Sequence, residues 1–245
     1  RYFILISSAR TPKCGNRLNN DYVALIKKIL EVENPELYES VMSVGAKGIS
    51  VEFKYPTLTF IDNARNLLPL VIDLEMNLLI NRSPIDYVTS DNPIVFCNQL
   101  FQEKNLSRGF GWGEHGIQFI VPVNPRIAIC MYDGEVYDMK GNFLNSSSVI
   151  NKLNELFLNN SDEVIIFKNG GSDDAKKEKM DYIEELVKRR NGRFVQDKEC
   201  DVMVFSNKQI YGSYDLSDIF TIKQSYKEMS ISSHSQKEIN EKINI

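Results

Sequence analysis

The sequence is poor in the residues on which many enzyme centres are built. Only two histidines occur in 245 residues, His115 and His234, and the second lies in a serine-rich terminal stretch. So few imidazoles nearly exclude histidine-based triads and multi-histidine metal sites. The four cysteines, Cys14, Cys97, Cys130 and Cys200, stand far apart, without the close pairs of zinc knuckles or redox motifs. They read as reduced thiols, with Cys97 (IVFCN) and Cys130 (IAICMY) as small buried hydrophobes. That usage suits the cytoplasm, and no signal peptide is visible, although the chain opens at Arg1 and a preceding segment is expected. Positive charge is not in excess either. With 29 basic and 33 acidic residues the formal net charge is -4, so no global field exists to hold a nucleic-acid backbone. The longest apolar stretch, Leu67 to Ile80, is interrupted by Pro69, Asp73, Glu75 and Asn77, short of the roughly 18 uninterrupted apolar residues of a membrane span. A glycine-rich phosphate loop, a nucleophile elbow and a metalloprotease helix are all missing.

What is present is the composition of an ordinary globular chain, 42% hydrophobic and 25% charged, sufficient for one ample core or two small ones. The first third reads as helical. Tyr2 to Ala9 is a short apolar helix closed by Arg10-Thr11-Pro12. Asn20 or Asp21 is expected to cap a second helix with Val23, Ile26, Ile29 and Leu30 in one stripe and Lys27 and Lys28 on the other face, ending at Asn34-Pro35. A shorter helical pattern covers Glu36 to Met42. From Thr59 or Asp62 the longest pattern runs through Ile61, Ala64, Leu67, Leu68, Val71, Ile72, Leu78 and Leu79, kinked or divided by Pro69 and with Glu75 near its apolar stripe.

After Pro84 the texture changes to short branched and aromatic runs between turn residues, the pattern of strands. Ile85 to Thr89, Ile94 to Asn98, Gly116 to Val123 and Arg126 to Tyr132 are candidate strands, and Asp133-Gly134 predicts a tight hairpin into Val136-Tyr137. Phe101 to His115 reads as a long loop. Ser146 to Ser148 offer caps to an amphipathic helix carrying Val149, Ile150, Leu153, Leu156 and Phe157, and Glu163 to Lys168 is a further strand. A charged helix is expected over Asp174 to Arg190 and two last strands over Asp201 to Phe205 and Gln209 to Tyr214. The fold class is therefore α+β, with a helical N-terminal part, 1–83, packed on a mainly antiparallel sheet with one or two covering helices, 84–223, as one domain. A tail follows over 224–245.

Candidate chemistry concentrates in Tyr87-Val88-Thr89-Ser90-Asp91-Asn92-Pro93-Ile94-Val95, where an apolar strand runs into three polar side chains and a proline. Asp91 and Asn92 can close an Asx-turn on their own backbone. Alternatively Ser90, Asp91 and Asn92 display a hydroxyl, a carboxylate and an amide that suit a hard cation or a polar substrate. His115, with Glu114, lies in Gly111-Trp112-Gly113-Glu114-His115-Gly116, readable as a loop that closes over a ligand or as one pinned by Trp112.

The string YVTSDNPIV, followed by FIVPVNPRIAI and VINKLNELF, resembles the bacterial family known as domain of unknown function 4238. That family carries an F-I-T-S-D-N-P-V turn, an I-P-L-S-P strand and an I-N-x-L-N helix in this order. The matching positions are Tyr87 to Val95, Val121-Pro122-Val123-Asn124-Pro125, and Ile150 through Asn154, while Arg10-Thr11-Pro12 resembles the family's R-T-P helix ending. The family's H-Y-V-P opening is absent, and Val123-Asn124 stand in place of its L-S pair. The resemblance implies a fold and a set of polar positions, and no activity. Asn154 falls at the edge of its helix's buried stripe, where an amide needs partners, and Arg10 offers a guanidinium for Asp91 or a ligand phosphate.

Two functions fit these observations. One is a non-catalytic sensor or interaction module, of a bacterial defence or toxin system, meeting a protein partner or small polar ligand through the loop Phe101 to His115. The alternative is a metal-dependent hydrolase, a nuclease or phosphoesterase, with Asp91 and Arg10 as catalytic residues, Asp91 as ligand to a divalent metal with Glu114 or Glu75, and Ser90, Asn92, Asn154, His115 and Glu114 lining the ligand site. Convergence of Ser90, Asp91, Asn92, Arg10 and Asn154 into one cluster is expected in either case.

Overall fold

The computed structural model describes residues 1–43, 56–104, 111–168, 193–196, 200–204 and 215–228. The chain forms two compact units, Arg1–Leu68 and Pro69–Ile245. The first is helical: α1 (Tyr2–Ala9), α2 (Pro12–Glu33), α3 (Pro35–Ser43) and α4 (Pro56–Leu67), with α1 and α2 packed on α4. The second helix begins at Pro12, well before the expected Asn20 or Asp21. A proline at the first helical position loses nothing, because its missing N–H would have no intrahelical acceptor there. Thr11 closes α1 by donating its hydroxyl to the Ser8 carbonyl at 3.0 Å.

The second unit is built on three sheets. After a single 3-10 turn, Leu68–Val71, come β1 (Glu75–Asn81), β2 (Thr89–Ser90), β3 (Val95–Cys97), α5 (Gln99–Glu103), β4 (Gln118–Asn124), β5 (Ile127–Tyr132), β6 (Tyr137–Met139) and β7 (Phe143–Leu144). They are followed by α6 (Ser147–Asn160), β8 (Val164–Lys168), β9 (Arg193–Gln196), β10 (Cys200–Val204), β11 (Phe220–Ile222) and the short α7 (Gln224–Lys227). The strands order as β3-β4-β5-β1-β7, β2-β8-β10-β9 and β11-β6. Among the described residues every pairing is antiparallel except that of β1 with β7. The class is α+β with a mainly antiparallel mixed sheet, as the sequence predicted.

One face of the five-stranded sheet presents Val95, Cys97, Ile120, Ala128, Cys130, Tyr132 and Leu79 to the core, and α6 supplies Ile150, Leu153, Phe157 and Leu158. Cys97 and Cys130 are buried free thiols. Burial pushes both upward in pKa, Cys130 to about 12.

Several expected elements are corrected. The long helix through Leu79 stops at Leu67, and its second half is β1, paired with β5 from Glu75↔Tyr132 to Ile80↔Ile127. Pro69 divides the pattern, and period-2 burial takes over, with Leu79 and Asn81 inward and Leu78 exposed. The Asp133-Gly134 turn makes no hairpin, because β6 leaves the sheet of β5 and pairs with β11. Of the strand expected over Ile85 to Thr89 only Thr89 joins a ladder, together with Ser90, against β8. The loop expected from Phe101 begins inside α5, capped by the Asn98 side chain, which accepts the Phe101 N–H. The helix over Asp174 to Arg190 and the strand over Gln209 to Tyr214 lie outside the described residues. Within 224–245 the described part is α7, whose Tyr226 packs against the core. Among the described residues no helix is long and apolar enough to cross a membrane.

Candidate functional site

Two groups of polar side chains stand out in the second unit. The first surrounds the Ser90-Asp91-Asn92 turn. As β2 ends, the Asp91 N–H extends its pairing with β8 by donating to the Val164 carbonyl at 3.2 Å. The Asp91 carboxylate then caps the start of β8: Oδ1 accepts the Asp162 N–H at 2.9 Å, and Oδ2 accepts those of Glu163 and Val164 at 2.7 and 3.1 Å. Ser90 Oγ accepts the Asn92 N–H at 3.2 Å, so the local turn is closed by the serine, whereas the Asp91 and Asn92 side chains expected to close an Asx-turn reach residues 160–164 instead. Asn92 and Asn160 lock the turn to the end of α6. The Asn92 amide donates to the Asn160 carbonyl at 2.9 Å, and the Asn160 amide donates to the carbonyls of Asn92 and Ile94 at 2.7 and 2.8 Å.

Asn154 is buried and points to the segment before the turn. Its Oδ1 accepts the Val88 N–H at 3.0 Å and its Nδ2 donates to the Asp86 carbonyl at 2.9 Å. It thereby satisfies a stretch of backbone that has left the sheet ladder. Asp86 also meets Arg126 at 2.9 Å. Arg10 is the C-cap of α1, exposed, in the N-terminal unit.

The second group lies around the turn after β5. Asp133 Oδ1 accepts the Glu135 N–H at 3.0 Å and Oδ2 accepts the Gly116 N–H at 2.9 Å, while His115 Nδ1 stands 3.2 Å from that same Oδ2. With Glu135 the set offers an imidazole nitrogen and two carboxylate oxygens within 4.8 Å of one another, a donor set that suits a divalent transition ion. Gly116 adopts φ +73°, and a Cβ there would meet Asn98 Oδ1 and Tyr137 Oη at 3.1 Å. Both of those groups are in use: Asn98 Nδ2 donates to the His115 carbonyl at 2.9 Å, and the Tyr137 hydroxyl donates to the Gly116 carbonyl at 2.7 Å. The His115 ring rests 4.9 Å from that of Tyr226.

Trp112 pins the neighbouring loop, stacked on Phe119 and edge-on to Phe96 with centroids at 4.9 and 4.7 Å. Glu114 is held by backbone, its N–H donating to the Gly111 carbonyl at 3.1 Å. Glu75 lies beside the turn after β5 but is not one of the three converging donors. It accepts the Tyr132 hydroxyl at 2.6 Å and lies so close to Gly134 that a Cβ there would sit 2.5 Å from Glu75 Oε1. Burial, then the Glu75 carboxylate, push the Tyr132 phenol upward in pKa.

A family model described as Protein of unknown function (DUF4238) matches residues 1–171, more than half of the 245-residue chain. The chain belongs to this family. No curated protein and no solved structure matches it. The DUF4238 match covers both groups, from the Asp91 turn and α6 to the turn at Asp133.

Of the residues singled out in the sequence, Ser90, Asp91 and Asn92 come together with Asn160 and the amides of residues 162–164, and His115 comes together with Asp133 and Glu135. Sequence reading missed Asn160, Asp133 and Glu135 as members of these groups. The only available signals were an Asn-Asn pair closing a helix and two carboxylates flanking a turn glycine.

Proposed function

We propose that this DUF4238 chain is a non-catalytic sensor or interaction module. In this reading the Ser90-Asp91-Asn92-Pro93 turn holds β2, β8 and α6 together and does not act on a substrate. One observation carries it: both oxygens of Asp91 are engaged by three backbone N–H groups. A carboxylate that ligates a metal or takes a proton must turn lone pairs toward the reacting group, and three of the roughly four that Asp91 offers already accept backbone N–H groups. Asn92 and Asn154 are committed to backbone in the same way. A partner or small polar ligand would instead be met by the half-exposed His115 and Glu114 on the loop that Trp112 pins.

The metal-dependent hydrolase is the second reading, favoured by the His115, Asp133 and Glu135 donor set, of which Asp91 is not a member. The test is incubation of the full chain with single- and double-stranded RNA and DNA and a phosphodiester probe, in magnesium, manganese or zinc. The same assays are run on Asp91→Asn and His115→Ala. The module predicts no cleavage by the intact chain; metal-dependent cleavage lost in either variant would overturn it.

A further inference from the structure

A different surface carries an inference that does not depend on the Asp91 turn. In the N-terminal unit α2 packs on α4, and its Val23, Ile26 and Leu30 are half-buried. On the same helix Leu25, Ile29 and Val32 are 53%, 50% and 71% exposed. They follow one another at spacings of four and three, the d, a and d positions of a heptad, and Tyr22, 40% exposed, extends the spacing N-terminally. At 3.6 residues per turn the centre of this stripe lies roughly 115° around the helix from the half-buried face, so among the described residues packing through one face leaves the other exposed. Large apolar side chains aligned on one helix face differ from the single exposed apolar residues common on any surface.

We infer that α2 pairs with α2 of a second copy of this chain, as a short parallel two-stranded coil. The charge pattern selects both the occupant and the direction. Lys28 and Glu33, both exposed, occupy the g and e positions that flank the stripe. In a parallel pair a g residue meets the e residue five positions on in the other helix, so Lys28 of each copy faces Glu33 of the other. An antiparallel pair would set Lys28 against Lys28, a like-charge contact that destabilises. The β-branched Ile29 at a with Leu25 at d is the combination that favours two strands over three or four. Four side chains per copy make a small interface, so the pairing is concentration-dependent, not obligate.

The experiment is sedimentation velocity on the full chain from about 10 µM to about 1 mM, a range that resolves a weak dimer. The expected result is a shift from monomer toward dimer as concentration rises. It is abolished by Ile29→Lys, weakened at least about tenfold by Lys28→Glu, and restored by Lys28→Glu combined with Glu33→Lys. These side chains are exposed, so thermal melts of the variants should match the parent, and the charge exchange keeps the test valid if Ile29→Lys disturbs the fold. A monomer throughout the range overturns the inference, leaving the stripe to a different partner. A dimer indifferent to Ile29→Lys or to the charge exchange overturns it as well.

Discussion

Replacing Asp91 probes the turn most sharply, because its carboxylate serves three donors at once. The bonds to Asp162 and Val164 are partly buried and the one to Glu163 is exposed. A hydrogen bond to a charged group contributes about 1.5–3 kcal/mol, but water can rehydrate the exposed amide and the three bonds share one anchor. Asp91→Ala is therefore expected to destabilise the chain by about 3 kcal/mol, well below the sum of three independent bonds. Asp91→Asn keeps one acceptor but turns an NH2 toward N–H donors, so it should cost about 2 kcal/mol. Urea denaturation followed by circular dichroism measures both, as a lower midpoint at unchanged m-value. A loss under about 0.5 kcal/mol for Asp91→Ala would refute the reasoning, since that is the level of an ordinary surface substitution.

Asn154→Ala should cost about 2–4 kcal/mol in the same assay, because it strands the Val88 N–H and the Asp86 carbonyl, and an unchanged midpoint would count against the bridge. Tyr87→Phe should be neutral or slightly stabilising: the Tyr87 hydroxyl is buried without a hydrogen-bond partner among the described residues, so its removal relieves a desolvation cost, and a clear loss would reveal an unseen partner. Asp215 is held down to about 2, chiefly by hydrogen bonds from Ser217 and then by Lys152. Its contribution is complete above the usual carboxylate range and lost as pH falls from about 4 to about 2. Asp215→Asn should therefore lower the melting temperature slightly at neutral pH, with the difference from the parent vanishing near pH 2. A difference that grows on acidification would contradict the sign.

The parts of the fold legible in the sequence are those with one unambiguous period. Ile150, Leu153 and Phe157 mark α6 within Ser147–Asn160, and the runs IVFC, QFIVPV and IAICMY mark β3, β4 and β5. The stretch from Leu67 to Ile80 satisfies both helical and strand spacing, because Leu78, Leu79 and Ile80 supply an apolar residue to either period. Pairing with β5, a distant segment, decides it. The site divides the same way. The Ser90 to Asn92 bond is local and could be anticipated, whereas the amides that Asp91 accepts are 71 to 73 positions away. Asp133 closing on Glu135 is likewise a local turn, but its approach to His115 depends on β4 pairing with β5 and has no trace in either segment alone.

The most direct test of the structural role of Asp91 is amide hydrogen exchange at Asp162, Glu163 and Val164 in the parent chain and in Asp91→Asn. If the carboxylate is committed to these N–H groups, all three are protected in the parent, and all three exchange at least about tenfold faster in the variant while the Cys130 amide in β5 holds its rate. Exchange at Asp162 and Glu163 as fast in the parent as in an unfolded peptide would show that the carboxylate is free to serve a ligand, and would contradict the account.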